Sequence, residues 1–173
     1  MDYNIFLYGS EDSGAINYFR HLFWEANQTS EQFRDLTHLI NLIKEFNSIS
    51  KIIILTGSAI GQRTLDKLAI LESKKRGIKC YSVIEHWSWY RKRFATNNGL
   101  ILPDKILLND EISKMKAVQD GLPEEQLVVL GNPVLESLSK KNTRKIFSKK
   151  KTPYLRILVY HLIRKLSLLC LKT

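Results

Sequence analysis

Residues 85–94, Glu-His-Trp-Ser-Trp-Tyr-Arg-Lys-Arg-Phe, place a carboxylate, an imidazole, two indoles, a phenol and three cations directly after an apolar run that ends at Ile84. A core segment has no use for that mixture. A carboxylate beside an imidazole can hold or pass a proton, and aromatic rings offer stacking faces to sugars or bases while a guanidinium forks onto carboxylate or phosphate. Glu85, His86, Trp87, Tyr90, Arg91 and Arg93 are therefore candidate ligand-binding residues. If the chain is helical after His86, Trp87, Tyr90, Arg91 and Phe94 share one face at spacings of three and four, with Arg93 to one side. The plainer alternative is a buried aromatic anchor with Arg91 paired to a core acid.

Other segments have similar potential. In Gly9-Ser10-Glu11-Asp12-Ser13-Gly14 the glycines let backbone approach a ligand at a helix N-terminus, where unpaired N–H groups favour anions. Glu11 and Asp12 would repel a phosphate there and suit a ligand hydroxyl, which makes either a candidate general base. Alternatively, Asp12 or Ser13 only caps the helix. Gly57 and Ser58, in Thr56–Gly61, offer small residues and backbone donors without a nucleotide-binding lysine, and a tight turn would read the same. The histidines at 21, 38, 86 and 161 have no ligand spacing and no nucleophile-elbow serine occurs, so neither a metal nor a cofactor is expected.

The elements that must position these residues alternate short apolar runs with helical spacing, the pattern of βα units on a mostly parallel sheet. Strands are expected at 3–8, 51–55, 78–84, 105–108 and 127–130. Helices are expected after Gly14, from a Ser30 cap through Phe33, Leu36, Leu39, Ile40 and Ile43, through Leu65, Leu68 and Leu71 to a stop at Gly77, and from Asp110 or Ser113 to about residue 120. The fold class is thus α/β, a Rossmann-like three-layer domain of about five to six strands over residues 1–139. Ligands of such sheets sit outside the carboxyl ends of the strands. Five loops converge there, carrying Gly9 to Gly14, Gly57 and Ser58, Glu85 to Trp87, Asn109 and Asp110, and Gly131 and Asn132.

Charge separates the body from the tail. The 27 Lys and Arg divide into 16 up to residue 136 and 11 after it, while all 17 Asp and Glu lie in the first part. The body is near neutral, which argues against nucleic acid as its partner. A basic linker over 140–153 carries Lys140, Lys141, Arg144, Lys145, Lys149, Lys150 and Lys151. Residues 154–173 are expected to form a basic amphipathic helix or the remnant of a second domain, with Arg156, Arg164 and Lys165 among the leucines. Such a segment fits an anionic membrane surface or packs on the domain or a partner. Two separated cysteines make no disulfide framework. The start Met1-Asp2-Tyr3 runs directly into Ile5-Phe6-Leu7 with no leader pattern, so a cytoplasmic protein is expected, peripheral at the inner face of the membrane if the tail binds lipid.

Taken together, residues 85–94, 102–111 and 121–138 resemble the amino-terminal half of bacterial GT-B glycosyltransferases and their sugar-epimerase-like relatives from surface-polysaccharide clusters. The matching positions are His86, Trp87, Tyr90, Arg93, Phe94, Pro103, Asp104, Asn109, Asp110, Gly131, Asn132 and Pro133, and Glu85 stands where that pattern has aspartate. The resemblance implies an acceptor-binding domain for a sugar or lipid-linked acceptor, held by Trp87, Tyr90 and Arg93 with Glu11 or Asp12 as base. It also implies a second, donor-binding domain that the roughly forty residues after Pro133 are too few to form. A donor-domain protein partner is therefore expected, with no turnover by this domain alone. The alternative is a non-catalytic binding module that docks through its basic tail.

Overall fold

The computed structural model describes residues 4–8, 14–25, 31–33, 37, 41, 52–132 and 135. Strand β1 (Asn4–Tyr8) leads to helix α1 (Gly14–Glu25) and strand β2 (Glu31–Phe33). After β3 (Ile52–Thr56) come α2 (Leu65–Arg76), β4 (Lys79–Ile84) and the short α3 (Tyr90–Phe94). A hairpin of β5 (Ala95–Thr96) and β6 (Gly99–Leu100) precedes β7 (Lys105–Leu108), α4 (Glu111–Gln119) and β8 (Leu127–Val129). Six strands form one sheet in the order β2-β1-β3-β4-β7-β8, and every neighbouring pair in it is parallel. The class is α/β with a parallel sheet, as the alternation of elements implies.

The unbroken Ile52-Ile53-Ile54-Leu55 run is buried at every position because both faces of β3 are covered. Alternate residues serve opposite layers. Ile52 and Ile54 join Cys80, Ile106, Ala69, Ile70, Phe94 and Ala117 under α2, α3 and α4, whereas Ile53 and Leu55 join Leu7, Tyr81, Val83, Leu107, Ile16 and Phe19 under α1. The connection from β1 turns to one side of the sheet and the chain from β3 onward to the other, so right-handed crossovers put α1 and α2 on opposite faces. That reversal makes a topological switch point between β1 and β3. Cys80 is a core residue, and burial pushes its thiol up to about 12, which makes it a poor nucleophile.

Local signals fix several boundaries. Thr64 caps α2 by accepting from Lys67 N–H at 3.3 Å, and Gly77 ends it in the left-handed conformation. Asp110 caps α4 by accepting from Ser113 N–H at 2.6 Å.

Three expectations are corrected. The helix expected from Ser30 does not begin there, because Glu31–Phe33 is an edge strand whose backbone pairs with β1; Thr37 and Asn41 are helical, and the rest of that segment lies outside the described residues. In α2 the buried face is Asp66, Lys67, Ala69, Ile70 and Ser73 rather than the leucine stripe. Leu65 is exposed, since the helix is rotated to bring Asp66 under the β3 loop. Finally, α3 begins only at Tyr90, so Trp87 is not on a shared helical face: Tyr90 and Phe94 turn into the core while Trp87 and Arg91 stay at the surface.

Candidate functional site

Two loops at the carboxyl edge of the sheet are built in contrasting ways. The loop after β3 is fastened from within. Asp66, at the start of α2, accepts from Thr56 Oγ1 at 2.8 Å, Gly57 N–H at 3.1 Å and Ala59 N–H at 2.7 Å. The Ser58 hydroxyl donates to Val83 O at 2.8 Å, and the Ser82 hydroxyl donates to Gly57 O. Gly57 is required by space, because a Cβ there would lie 2.8 Å from the Ala15 Cβ. Lys67 donates from Nζ to Gly61 O and, at 2.7 Å, to Ala95 O; desolvation lowers its pKa, against the pull of neighbouring Asp66.

Arg93 joins this loop to the next. It is buried, with Nη1 donating to Ser58 O at 3.0 Å and Nε to Ser88 O at 3.2 Å. Burial lowers its pKa, and the nearby Glu85 charge acts in the opposite sense. Arg93 therefore positions two loops.

The loop after β4 carries the unsatisfied chemistry. Glu85 Oε1 lies 2.6 Å from where a Gly14 Cβ would stand, which sets the carboxylate against the first residue of α1, a favourable place for an anion. Its second oxygen, Oε2, is buried without a hydrogen-bond partner among the described residues. His86 Nε2 is 3.8 Å from Glu85 Oε1, with the imidazole largely exposed. Behind Glu85, Asn109 Nδ2 donates to Glu85 O at 2.9 Å, and Asn132 Nδ2 donates to Asn109 Oδ1 at 3.2 Å. Asn132 Oδ1 accepts from Leu135 N–H at 3.2 Å, and Tyr18 holds Gly131 O at 2.8 Å. The ends of β4, β7 and β8 are thereby joined through the Glu85 main chain, and no bond of this network is made to its carboxylate. A carboxylate placed at this edge can bind a ligand hydroxyl or take its proton.

Along the outer wall, Trp87 donates its indole N–H to Asp110 Oδ2 at 2.7 Å. That bond is the main reason the Asp110 carboxyl lies below the usual carboxylate range, with the Ser113 N–H adding to it and partial burial opposing. Trp89 adopts left-handed backbone, φ 59° and ψ 42°, which costs a non-glycine residue about 1–2 kcal/mol. Its neighbours impose it: Ser88 O is held by Arg93, and Arg91 N–H donates to Asp120 Oδ2 at 2.8 Å. Lys92 Nζ stands 4.6 Å from the Trp89 ring centroid.

The structure thus brings Gly14, Gly57, Ser58, Glu85, His86, Asn109, Gly131 and Asn132 to one edge, with Trp87, Tyr90, Arg91 and Asp110 beside it. Gly9, Ser10, Glu11, Asp12 and Ser13 lie outside the described residues, as do the basic positions from Lys140 to Lys165. Among the described residues no group of three or more His, Cys, Asp or Glu could hold a metal ion. Comparison with known proteins adds no identity. No family model, no curated protein and no solved structure matches the chain. The sequence reading overlooked Asp66, Lys67 and Ser82, which build the edge, and Trp89 with Lys116, Gln119 and Asp120, which face it from α3 and α4. Only Trp89 had a signal, as the second indole of an exposed cluster.

Proposed function

We propose that this α/β domain is Rossmann-like and of the GT-B amino-terminal type, and that it binds the acceptor of a glycosyl transfer in bacterial cell-surface polysaccharide synthesis, with the donor domain carried by another polypeptide or segment. The observation that carries this reading is the Glu85 carboxylate set against the first residue of α1, with Oε2 unpartnered among the described residues. An anionic side chain already occupies the N-terminus of α1, so the phosphates of a nucleotide would be repelled where nucleotide-binding sheets usually hold them. A hydroxyl-bearing sugar or lipid-linked acceptor is favoured there instead. Glu85 accepts the acceptor hydroxyl, His86 stands beside it, and Asn109 and Asn132 hold the loop in place. Glu11 and Asp12 remain additional candidates for the base.

The test is calorimetric titration with soluble polyprenyl-phosphate-linked and free monosaccharides alongside nucleotide sugars. Acceptors should bind, and Glu85→Gln should weaken them by roughly tenfold, the worth of one hydrogen bond to a charged group. Tighter binding of nucleotide sugars than of acceptors would overturn the assignment. A second reading, a non-catalytic interaction module, is favoured by one observation: Ile112 and Met115 on α4 are more than half exposed. Acceptor binding without turnover, whatever donor-domain protein is added, would favour that reading. In either case residues 140–173 are proposed to hold the protein at an anionic leaflet on the cytoplasmic side, which requires co-sedimentation with phosphatidylserine vesicles that removal of those residues abolishes.

A further inference from the structure

Between the loop that follows β4 and helix α4 lies an open groove of about 640 Å³, walled by Trp87, Trp89, Tyr90, Arg91, Lys92, Lys116, Gln119 and Asp120, among others. It adjoins the Glu85 edge through Trp87, Tyr90 and Arg91, but neither Glu85 nor His86 lines it, and it does not depend on the transfer reading. We propose that this groove binds an anionic saccharide, a short chain of sugar rings bearing carboxylate or phosphate groups.

Three features point to that ligand. First, both indoles are presented rather than buried. Trp87 is 42% and Trp89 59% exposed. The indole N–H of Trp87 is anchored on Asp110, which fixes the ring and leaves its faces for stacking. Trp89 is held in left-handed backbone by contacts on both sides, and strain of that kind, with no burial in return, is characteristic of ligand-contacting positions.

Second, the charge of the walls selects an anion. Arg91, Lys92 and Lys116 stand against Asp120 alone, a balance of three cations to one carboxylate. Lys92 already lies over one indole, so a ring stacked nearby would carry its acidic group within reach of a cation. Third, Gln119 and Asp120 provide an amide and a carboxylate along the same wall. Sugar hydroxyls can donate to both, with Asp120 Oδ1 left over beside the Oδ2 that accepts from Arg91 N–H, whereas a phosphodiester backbone carries only acceptors to set against them. The mixture of stacking faces, cations and hydroxyl acceptors therefore favours an acidic glycan over single-stranded nucleic acid, for which a continuous cationic track is the usual provision.

Oligogalacturonate, neutral malto-oligosaccharide of equal length and oligo-dT are the probes, titrated calorimetrically into the full chain at low and physiological salt. Oligogalacturonate is expected to bind, with affinity falling as salt rises and at least tenfold above that of the neutral chain. Trp89→Ala should lower that affinity at least tenfold. Lys116→Glu, a surface change on α4 that leaves the indoles in place, should lower it comparably and guards against a fold defect in the tryptophan variant. Equal binding of the neutral and acidic chains would overturn the proposal, as would tighter binding of oligo-dT with the same sensitivity to Trp89→Ala, affinities unmoved by both substitutions, or no binding of oligogalacturonate by folded protein.

Discussion

The loops after β3 and β4 leave neighbouring strands at the same edge of one sheet, yet they treat their polar groups oppositely. In the first, Asp66, Thr56, Ser58, Ser82 and Lys67 pair with one another or with backbone. In the second, Glu85 keeps a buried oxygen unpartnered among the described residues, two indoles face outward and one of them sits in strained backbone. Satisfied buried groups stabilise a fold, whereas unsatisfied or strained ones need another explanation, and ligand binding supplies it. The contrast separates scaffold from site without appeal to relatives.

Substitutions can break that contrast, and the largest effect belongs to the scaffold loop. Asp66→Ala strands three donors and should cost about 3 kcal/mol or more, read by chemical denaturation; a loss below 1 kcal/mol would mean that water replaces the carboxylate and that the loop is not fastened from within. Gly57→Ala comes next, at about 2 kcal/mol, because the new methyl group must displace the first turn of α1.

Asp110 bridges the two kinds of region, as helix cap and as tether of Trp87. Asp110→Ala should cost about 1 kcal/mol, the usual worth of a cap. Because its folded carboxyl titrates below the usual range, its contribution is present above the ordinary carboxylate pKa and is lost as pH falls through the lowered folded value. The difference in stability between the wild type and Asp110→Ala should therefore shrink on acidification and stay flat from pH 5 to 8.

The smallest stability effect is expected at the site itself. Trp89→Gly relieves about 1–2 kcal/mol of backbone strain, but gives up about 0.5–1 kcal/mol to glycine's extra backbone freedom and about 0.5–1 kcal/mol of cation–π attraction. These terms nearly cancel, so denaturation midpoints should agree within measurement while groove binding is lost. A strongly destabilised Trp89→Gly protein would show that this residue is scaffold after all.

Parts of this architecture were legible in the sequence because their causes are local. The isoleucine run of β3 and the Gly77 stop each act within a few residues and stand in the structure as expected, and of the two helix starts expected, Asp110 or Ser113, the structure has Asp110. The misread elements depend on distant partners. Glu31–Phe33 is a strand because the open edge of β1 accepts it, and α2 turns Asp66 inward because the β3 loop presents two N–H groups and a hydroxyl to it.

The candidate site divides in the same way. By itself, the sequence determined the alternation of strands and helices, the carboxyl edge as the meeting place of the loops and the unusual chemistry of residues 85–94, since periodicity and residue type are properties of the chain. Only the tertiary structure decided that Glu85 lies over Gly14, that Arg93 is buried between two loops and that the indoles face α4, since each depends on contacts between residues far apart in sequence.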